Sequence, residues 1–274
     1  MKRILFLILS ILLIYIYFHK PQAPESKEYM VTCTRSDGTI EKIELEEYVL
    51  GVVSAEMPAS FELEALKAQA VAARTFVLSR NLNVDDSTSS QAYIDESQRK
   101  EKWKDSFDLY ENKIKEAVET TKGEVLMYNN ELISALYFSS SNGKTENNED
   151  YFDTTPLPYL RSVASLDETP IVDYKVISIS QEIQIESYTQ GGRVKEIRIG
   201  DKIYTGREVR EKYGLNSSCF DVKSVEQGYA FTTYGYGHGV GMSQYGANGM
   251  AKKGYMYDEI LLHYYQDVCI NKVE

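Results

Sequence analysis

Glu56 is the residue whose type and position most suggest chemistry. Pro58 disfavours a helical conformation at Met57, so the apolar-periodic segment before it should end as a helix at Glu56. The helix macrodipole and burial both disfavour an ionised carboxylate there and raise its pKa. A carboxylic acid that stays protonated near neutral pH can act as a general acid. Spacing alone favours the simpler alternative, a solvated residue at a helix end.

The elements that must position Glu56 are two consecutive helices. The first runs from Leu45 to Glu56 and places Leu45, Tyr48, Val49, Val52 and Val53 on one face. The second is expected to begin with Ser60 as its N-cap and to carry Glu62 and Glu64 in its first turn. Its stripe of small and apolar side chains would let other elements approach closely; it comprises Leu63, Leu66, Ala70, Ala73 and Val77.

Two further stretches carry polar groups that could bind a ligand. Ser139 to Gly143 follow a predicted strand, and their hydroxyls and amide could hydrogen-bond sugar hydroxyls, although such residues also form ordinary turns. The segment from Tyr234 to Ala251 alternates Gly with other residues and lacks both phosphate-loop patterns. Alternating glycines allow a backbone to come close to a ligand or another strand. His238 within it is either a satisfied buried histidine or a residue of a binding cleft.

Three blocks of the sequence together resemble the stage II sporulation protein D family, which includes the amidase-enhancer proteins. They are Val53 to Phe76, Tyr137 to Glu146 and Tyr234 to Ala251, in the family's order, and the resemblance extends from about Tyr29 to Val268. It implies a lytic transglycosylase that cleaves the MurNAc–GlcNAc bond of peptide-stripped peptidoglycan strands during endospore formation and engulfment. Glu56 occupies the position of the catalytic glutamate.

A lytic transglycosylase can work with one carboxylate because its attacking hydroxyl, the C6 hydroxyl of N-acetylmuramic acid, is already part of the substrate. Glu56 would protonate the bridging oxygen and then, as a carboxylate, help to remove the C6 proton, which leaves a 1,6-anhydro end. The candidates for binding and positioning the substrate are Arg74, Tyr137, Ser139, Ser140, His238, Gln244 and Tyr245.

The sequence departs from the family at one stretch. Some members carry Thr-His-x-Gln-x-Tyr followed by Cys and His residues that bind zinc, where this chain has Thr88-Ser-Ser-Gln-Ala-Tyr93. Neither Cys nor His occurs between Cys33 and Cys219, so that zinc site is not expected to form. We therefore expect no metal and no cofactor, and folding and activity that do not depend on zinc.

Two other functions compete with the transglycosylase. The chain could be a non-catalytic membrane scaffold that activates a cell-wall amidase, although the presence of Glu56 weighs against it. It could also be a peptide amidase, which neither a Cys/His pair nor a cluster of zinc ligands supports. The resemblance implies glycan strands and the sporulation proteins P, an amidase, and M, a membrane scaffold, as partners.

The composition of the chain limits the other functions that it could have. The chain has 274 residues, enough for one large domain or two small ones. Its net charge of −11 argues against a nucleic-acid partner, which would need clustered Lys and Arg. The 22 tyrosines suit a cleft that holds sugars, although many must be ordinary core or rim residues. Cys33, Cys219 and Cys269 allow one disulfide with a free thiol or three reduced thiols.

The N-terminus is expected to hold the protein in a membrane. Lys2 and Arg3 precede an apolar run from Ile4 to Phe18, and no small-residue cleavage site follows it. The chain is therefore divided into an uncleaved anchor over 1–20, a linker over 21–28 and an extracytoplasmic domain over 29–274. Family resemblance places that domain on the mother-cell membrane, facing the septal space.

The remaining patterns predict an α+β fold of mixed helices and antiparallel strands around a glycan-binding cleft, preceded by one transmembrane helix. Hairpins are expected over Tyr29–Ile43 and over Glu124–Phe138, with several strands between 171 and 199. Thr205 and Glu208 form the capping box of a later helix that ends at Gly214. The run Gln98–Lys104 could be a basic-aromatic contact site, but a solvated surface segment is favoured.

Overall fold

The structure, a computed structural model, describes residues 29–87 and 90–273. It confirms a mixed α+β fold. The predicted anchor over 1–20 and linker over 21–28 lie outside the described residues. Among the helices of the described ranges, none has the length and apolar character needed to cross a membrane.

The N-terminal hairpin leads directly into the helix that carries Glu56. Strands β1 (Met30–Thr34) and β2 (Ile40–Glu44) pair antiparallel, and the turn between them contains Gly38 with a φ of 87°. Helix α1 (Leu45–Glu56) follows without a break, because the carboxylate of Glu44 accepts hydrogen bonds from the amides of Glu46 and Glu47. The bounds of α1 confirm the prediction made from Pro58.

Helix α2 (Leu63–Ser79) is the centre of the larger hydrophobic core. Its alanines Ala65, Ala68, Ala70, Ala72 and Ala73 are fully buried. Their small side chains let α1 and three later helices (Phe107–Thr120, Gln244–Lys252 and Tyr257–Tyr264) pack close to it. The predicted N-cap was wrong. The helix begins after Glu62 rather than after Ser60, and the Glu62 amide donates to the side chain of Asn248 instead.

The middle of the chain adds three helices and a small sheet to this core. Strand β3 (Asn83–Asp85) pairs parallel with β1. Helix α3 (Glu96–Trp103), a short 3₁₀ turn (Lys104–Ser106) and helix α4 (Phe107–Thr120) follow. Strand β4 (Glu124–Tyr128) lies between β14 (Cys269–Lys272) and β5 (Glu131–Leu132). Helix α5 (Asn148–Phe152) completes the segment.

The predicted hairpin over Glu124–Phe138 is only partly correct. Strand β5 ends at Leu132, and Tyr137–Phe138 forms a separate strand, β6. Strand β6 pairs in parallel with β13 (Met242–Ser243), so Tyr137 lies opposite Met242 and Phe138 opposite Ser243. This short pairing brings the serine-containing segment and the glycine-rich segment together.

A second, smaller core is built from strands between 172 and 234. Strands β7 (Val172–Ile177), β11 (Phe220–Val225) and β12 (Gly228–Tyr234) form one antiparallel sheet, with β12 in the centre. Strands β8 (Ile183–Tyr188), β9 (Val194–Ile199) and β10 (Lys202–Thr205) form another. Helix α6 (Gly206–Tyr213) packs on them and has the predicted capping box between Thr205 and Glu208.

The C-terminal segment returns to the larger core. Helix α7 (Gln244–Lys252) is capped by Ser243, as predicted, through a hydrogen bond from the Gly246 amide. Helix α8 (Tyr257–Tyr264) follows, and His263 on it hydrogen-bonds the carbonyl oxygen of Ala164. All three cysteines are free thiols.

Candidate active site

Glu56 lies where α1 ends and the chain turns away. The Met57 amide still donates to the Val53 carbonyl at 3.1 Å, but Met57 itself is extended, as the following proline requires. The Glu56 side chain is half-buried, and its Oε1 accepts a 2.8 Å hydrogen bond from the Ala92 amide. The hydrogen bond therefore fixes the carboxyl in place, while the residue as a whole stays partly exposed.

Desolvation dominates the electrostatics of Glu56. Burial raises its pKa, whereas the hydrogen bonds from Ala92 and Gln244 and the positive charge of Lys102 lower it without cancelling the effect of burial. This direction agrees with the prediction made from the position of Glu56 at a helix C-terminus. The carboxyl retains its proton at a higher pH than an ordinary glutamate does.

Two tyrosines and a glutamine form a hydrogen-bonded chain beside this carboxyl. The Tyr48 hydroxyl donates to Gln91 Oε1 at 3.2 Å, and Gln91 Nε2 donates to the Tyr137 hydroxyl at 3.0 Å. Gln91 and Tyr48 are buried, whereas Tyr137 is half-buried. Burial and the charge of Glu56 raise the pKa of both phenols, so each keeps its proton. The site thus presents neutral hydroxyl and amide groups around one acid.

Gln244 and Tyr245 reach the site from the start of α7. Gln244 hydrogen-bonds Glu56, and its Nε2 lies 3.4 Å from Gln69 Oε1 on α2. Tyr245 packs edge-on against Phe61, with ring centroids 5.0 Å apart, and remains 38% exposed. The Tyr245 amide also donates to the Ser139 carbonyl at 3.0 Å, which places half-buried Ser139 next to it.

Lys102 is a positively charged residue that acts on Glu56, although it was not predicted as a site residue. Its ammonium donates to the Ser54 carbonyl at 2.8 Å, in the last turn of α1, and its pKa is lowered by burial. Lys102 belongs to α3, and the solvated surface segment predicted over Gln98–Lys104 is confirmed for most of its residues, which are exposed. Arg99 is the exception: it is 1% exposed and pairs with Glu47 and Glu111, which holds α3 to the core.

Two predicted binding residues are structural in this fold. Arg74 is fully buried, and its guanidinium pairs with Glu46 in the first turn of α1, at the opposite end of the helix from Glu56. It also donates to the carbonyls of Glu124 and Val118. The structure therefore does not bring Arg74 to the site.

Ser140 is the second of these residues. It is 1% exposed, and its hydroxyl accepts a hydrogen bond from the Ile171 amide. Its backbone pairs with that of Tyr236, so Ser140 joins the serine segment to the glycine-rich segment. Its hydroxyl is occupied inside the protein, and the structure does not place it at the site.

His238 packs against Phe138 of β6 and against two aromatic residues of α5. Its ring packs against Phe138, Tyr151 and Phe152 at centroid distances of 5.5–5.9 Å, and its Nδ1 accepts a hydrogen bond from the Val240 amide. Burial, with the charges of Arg210 and Arg193, lowers its pKa to about 3. His238 is a neutral group that orders the glycine-rich segment, and its ring hydrogen-bonds the Tyr137 backbone.

The alternating glycines let other segments of the protein pack closely against the backbone of this segment. Gly235, Gly237, Gly239 and Gly241 all have positive φ, between 79° and 111°. A Cβ on Gly241 would lie 2.0 Å from the Leu136 carbonyl oxygen, and one on Gly239 would lie 2.2 Å from the Arg193 guanidinium. Gly241 is therefore needed to bring β13 against β6, and with it Gln244 towards Glu56.

Three residues at the site are not predicted from the sequence: Gln91, Tyr48 and Lys102. A signal for Gln91 was present, because the Gln and Tyr of the family's Thr-His-x-Gln-x-Tyr pattern are retained here as Gln91 and Tyr93. Tyr93 stacks on Tyr48 with ring centroids 5.4 Å apart. Within residues 29–87 and 90–273, His, Cys, Asp and Glu side chains form no group placed to hold a metal ion.

Comparison with known proteins identifies the family. Residues 34–128 match the family model described as stage II sporulation protein. Stage II sporulation protein D of Bacillus subtilis (strain 168) is 42% identical over 264 residues, which cover 86% of this chain and 77% of that protein. The protein of the same name from Bacillus amyloliquefaciens is 40% identical over 283 residues, covering 93% and 82%.

A more distant relative has a different printed name. The amidase enhancer of Bacillus subtilis (strain 168) is 31% identical over 288 residues, which cover 78% of this chain but only 39% of that protein. The likeness to the two sporulation proteins covers 77% or more of each chain compared, and the match to the family model, over residues 34–128, includes the helix that ends at Glu56. The chain belongs to the stage II sporulation protein D family.

Proposed function

We propose that this protein is a lytic transglycosylase that cleaves the MurNAc–GlcNAc bond of peptidoglycan strands during endospore formation, with Glu56 as its acid. One observation carries the proposal. A half-buried carboxyl with a raised pKa stands at a helix C-terminus, surrounded by the neutral hydroxyl and amide groups of Tyr137, Gln91 and Gln244. Such a group can donate a proton to a glycosidic oxygen at neutral pH.

The reaction needs one acid because the nucleophile is part of the substrate. Glu56 gives its proton to the bridging oxygen, and the bond between C1 of N-acetylmuramic acid and that oxygen breaks. The C6 hydroxyl of the same sugar attacks C1, and the Glu56 carboxylate takes the C6 hydroxyl proton. The products are a 1,6-anhydro end and a new 4-hydroxyl, and Glu56 is protonated again.

Groups next to Glu56 have distinct roles in this proposal. Gln244 on α7 and the Ala92 amide both hydrogen-bond the carboxyl, so they hold it in one orientation for proton transfer. The Tyr137 hydroxyl and the exposed ring of Tyr245 offer a hydrogen-bonding edge and an apolar face for a sugar ring. Membrane attachment through 1–20, an extracytoplasmic location and the partnership with the sporulation proteins P and M belong to the same proposal.

The test compares Glu56→Gln with Glu62→Gln on peptide-stripped glycan strands, with 1,6-anhydro ends measured by mass spectrometry. General acid catalysis contributes about 10²–10⁴-fold, so cleavage by Glu56→Gln should fall by at least that range while strand binding survives. Glu62 is a matched control, because it lies near the site, is exposed and has no side-chain capping bond. A folded Glu56→Gln protein that cuts at the wild-type rate would show that the acid is elsewhere.

The second candidate function is activation of a cell-wall amidase without cleavage by this chain. The relative named amidase enhancer supports it. The same variant separates the two functions. If sporulation proceeds normally with Glu56→Gln although cleavage in vitro is lost, the activator function is the one that matters.

A further inference from the structure

Strand β7 leaves one edge of its sheet open. It is the last strand in the order β11-β12-β7 and pairs with β12 only. Every residue from Val172 to Val176 is exposed, and Tyr174 at the centre of the strand is 61% exposed. Proteins usually shorten, cover or block such an edge, because an open edge can pair with a strand of another chain. The open edge of β7 is therefore a candidate interaction surface.

The backbone groups along this edge are available for pairing. The Gly235 amide donates to the Ile171 carbonyl at 2.8 Å, just before β7 begins. Alternate residues of an antiparallel strand bond the same neighbour, so the amides and carbonyls of Val172, Tyr174 and Val176 point away from β12. Within residues 29–87 and 90–273 these groups have no hydrogen-bond partner. The edge thus offers three donors and three acceptors in a row.

Two opposite charges lie two residues apart on the same face of this strand. Lys175 lies opposite buried Phe231, so Asp173 and Lys175 both belong to the face that meets the smaller core. The Lys175 ammonium donates to the carbonyls of Tyr213 at 2.7 Å and Gly214 at 3.4 Å, which leaves one of its three donors. The Asp173 carboxylate has no ion pair or hydrogen bond to any residue that the structure describes. Each charge can therefore take a partner from outside.

The order of these charges makes the strand complementary to itself. If β7 pairs antiparallel with β7 of a second copy, centred on Tyr174, then Asp173 of each copy lies opposite Lys175 of the other. The same register sets Val172 opposite Val176, and the three free amides of each copy donate to the free carbonyls of the other. A register shifted by two residues would set Asp173 opposite Asp173, or Lys175 opposite Lys175, and like charges directly opposite are unfavourable. The charges therefore select the centred register.

We propose that the open edge of β7 binds a second copy of this chain, with Tyr174 at the twofold axis. The two three-stranded sheets then form one continuous sheet of six strands. Such an interface uses the same surface on both copies, so it closes as a dimer and does not grow into a fibre. A strand from another protein could bond the same backbone groups, but the twofold pairing also matches both charges. No residue placed around Glu56 belongs to β7, so this inference does not depend on the proposed cleavage.

The size of the surface indicates a weak dimer. Stable protein interfaces bury about 1,200–2,000 Å² in total, and the pairing of one six-residue strand covers less than that. Association should therefore depend on protein concentration, and a covalent trap is the suitable measurement.

The first part of the test is disulfide trapping in the full-length protein. Opposite residues of a hydrogen-bonded antiparallel pair have Cα atoms about 5.5 Å apart, a distance that a disulfide spans. Tyr174→Cys should therefore form a dimer linked between the two copies of position 174 after brief oxidation, and its yield should rise with protein concentration. Ile203→Cys is the matched control, because Ile203 is 54% exposed on another edge strand, β10, and should stay monomeric. Wild type gives the background from its three native thiols.

The second part tests the register through the charges, with Tyr174→Cys present throughout. Asp173→Lys sets like charges opposite each other at two places, and so does Lys175→Glu. Each alone should raise the protein concentration for half-maximal cross-linking by about fourfold or more. A mixture of the two variants has opposite charges at both places again and should cross-link like the parent. Two variants that were merely misfolded would not rescue each other.

The proposal is overturned if Tyr174→Cys cross-links no more than Ile203→Cys does. It is also overturned if either charge variant cross-links like the parent, or if the mixture cross-links no better than its components. A chain that dimerises through β7 but fails to cut glycan strands would reject the transglycosylase and leave this inference standing.

Discussion

The Ala92 amide lies 2.8 Å from Glu56 Oε1 and joins the end of α1 to the segment that carries Gln91. Gln91, the residue before Ala92, hydrogen-bonds both Tyr48 on α1 and Tyr137 on β6. A single short segment therefore fixes both the carboxyl and the tyrosines beside it.

Lys102 should set the upper pH limit of cleavage. Its charge lowers the pKa of Glu56 against the effect of burial, so Lys102→Met should raise that pKa further. An acid catalyst is lost as the pH rises through its pKa, so the alkaline limb of the pH–rate profile should move to higher pH. Lys100→Met, which changes an exposed lysine paired with Glu96 on the same helix, is the control and should leave the limb in place. An unshifted limb in Lys102→Met would exclude this influence.

Gln91→Leu should weaken both the fold and the site. The Tyr48 hydroxyl, in a fully buried residue, would lose its hydrogen-bond acceptor, at a cost of about 1–3 kcal/mol in the free energy of unfolding. Cleavage should fall as well, because the Tyr137 hydroxyl loses its donor. Urea unfolding of Gln91→Leu, Tyr48→Phe and the double variant forms a cycle in which the double variant recovers part of the loss. Strictly additive losses would show that the two side chains are not coupled.

Arg74→Met should destabilise the protein without affecting glycan binding by the folded fraction. The guanidinium is fully buried between Glu46 and two carbonyls, and removal of one partner of a buried pair costs about 3–5 kcal/mol. Thermal unfolding and strand binding should be measured together. A stable variant with weakened binding would restore the substrate-binding role predicted from the sequence.

His238 should make the protein less stable in mild acid. Its folded pKa of about 3 lies below the roughly 6.5 expected in the unfolded chain. Below about pH 6.5 the unfolded chain binds a proton that the folded protein does not, so stability falls as the pH drops towards 3. His238→Asn keeps an acceptor for the Val240 amide and removes this linkage. Its melting temperature should fall less than that of wild type between pH 7 and pH 5; an equal fall would contradict the assignment.

The elements that the sequence predicts well are those that local rules specify. The end of α1 follows from Pro58, the start of α6 from the Thr205–Glu208 capping box and the start of α7 from Ser243. Helix α3 was missed because its charged sequence lacks an apolar stripe. A local signal was available there too, since Asp95 and Gln98 form a capping box.

The features that could not be predicted depend on contacts between distant segments. Strands β6 and β13 are two residues long, too short for a periodic pattern, and their partners are determined by the packing of the whole chain. Arg74 was predicted as a binding residue because it lies in one of the three blocks that resemble the family. Its real partner, Glu46, lies on the neighbouring helix and can be identified only once α1 and α2 are packed. The sequence predicts the direction of the pKa shift of Glu56. The positions of Gln91 and Lys102 beside it can be found only from the tertiary structure.

The pairing of Gln244 with the Glu56 region also has a consequence for folding. Gln244 meets Gln69 across 175 positions of sequence, and Asn248 meets Glu62 across 186. Contacts between residues so far apart in the sequence require the closure of long loops, and they form slowly compared with local helices. The acid is therefore complete only after nearly all of the chain has emerged from the ribosome and α7 has docked. A chain synthesised only as far as α6 would hold Glu56 in a helix but without Gln244 beside its carboxyl, so the proposed acid would lack part of its surroundings until α7 is made.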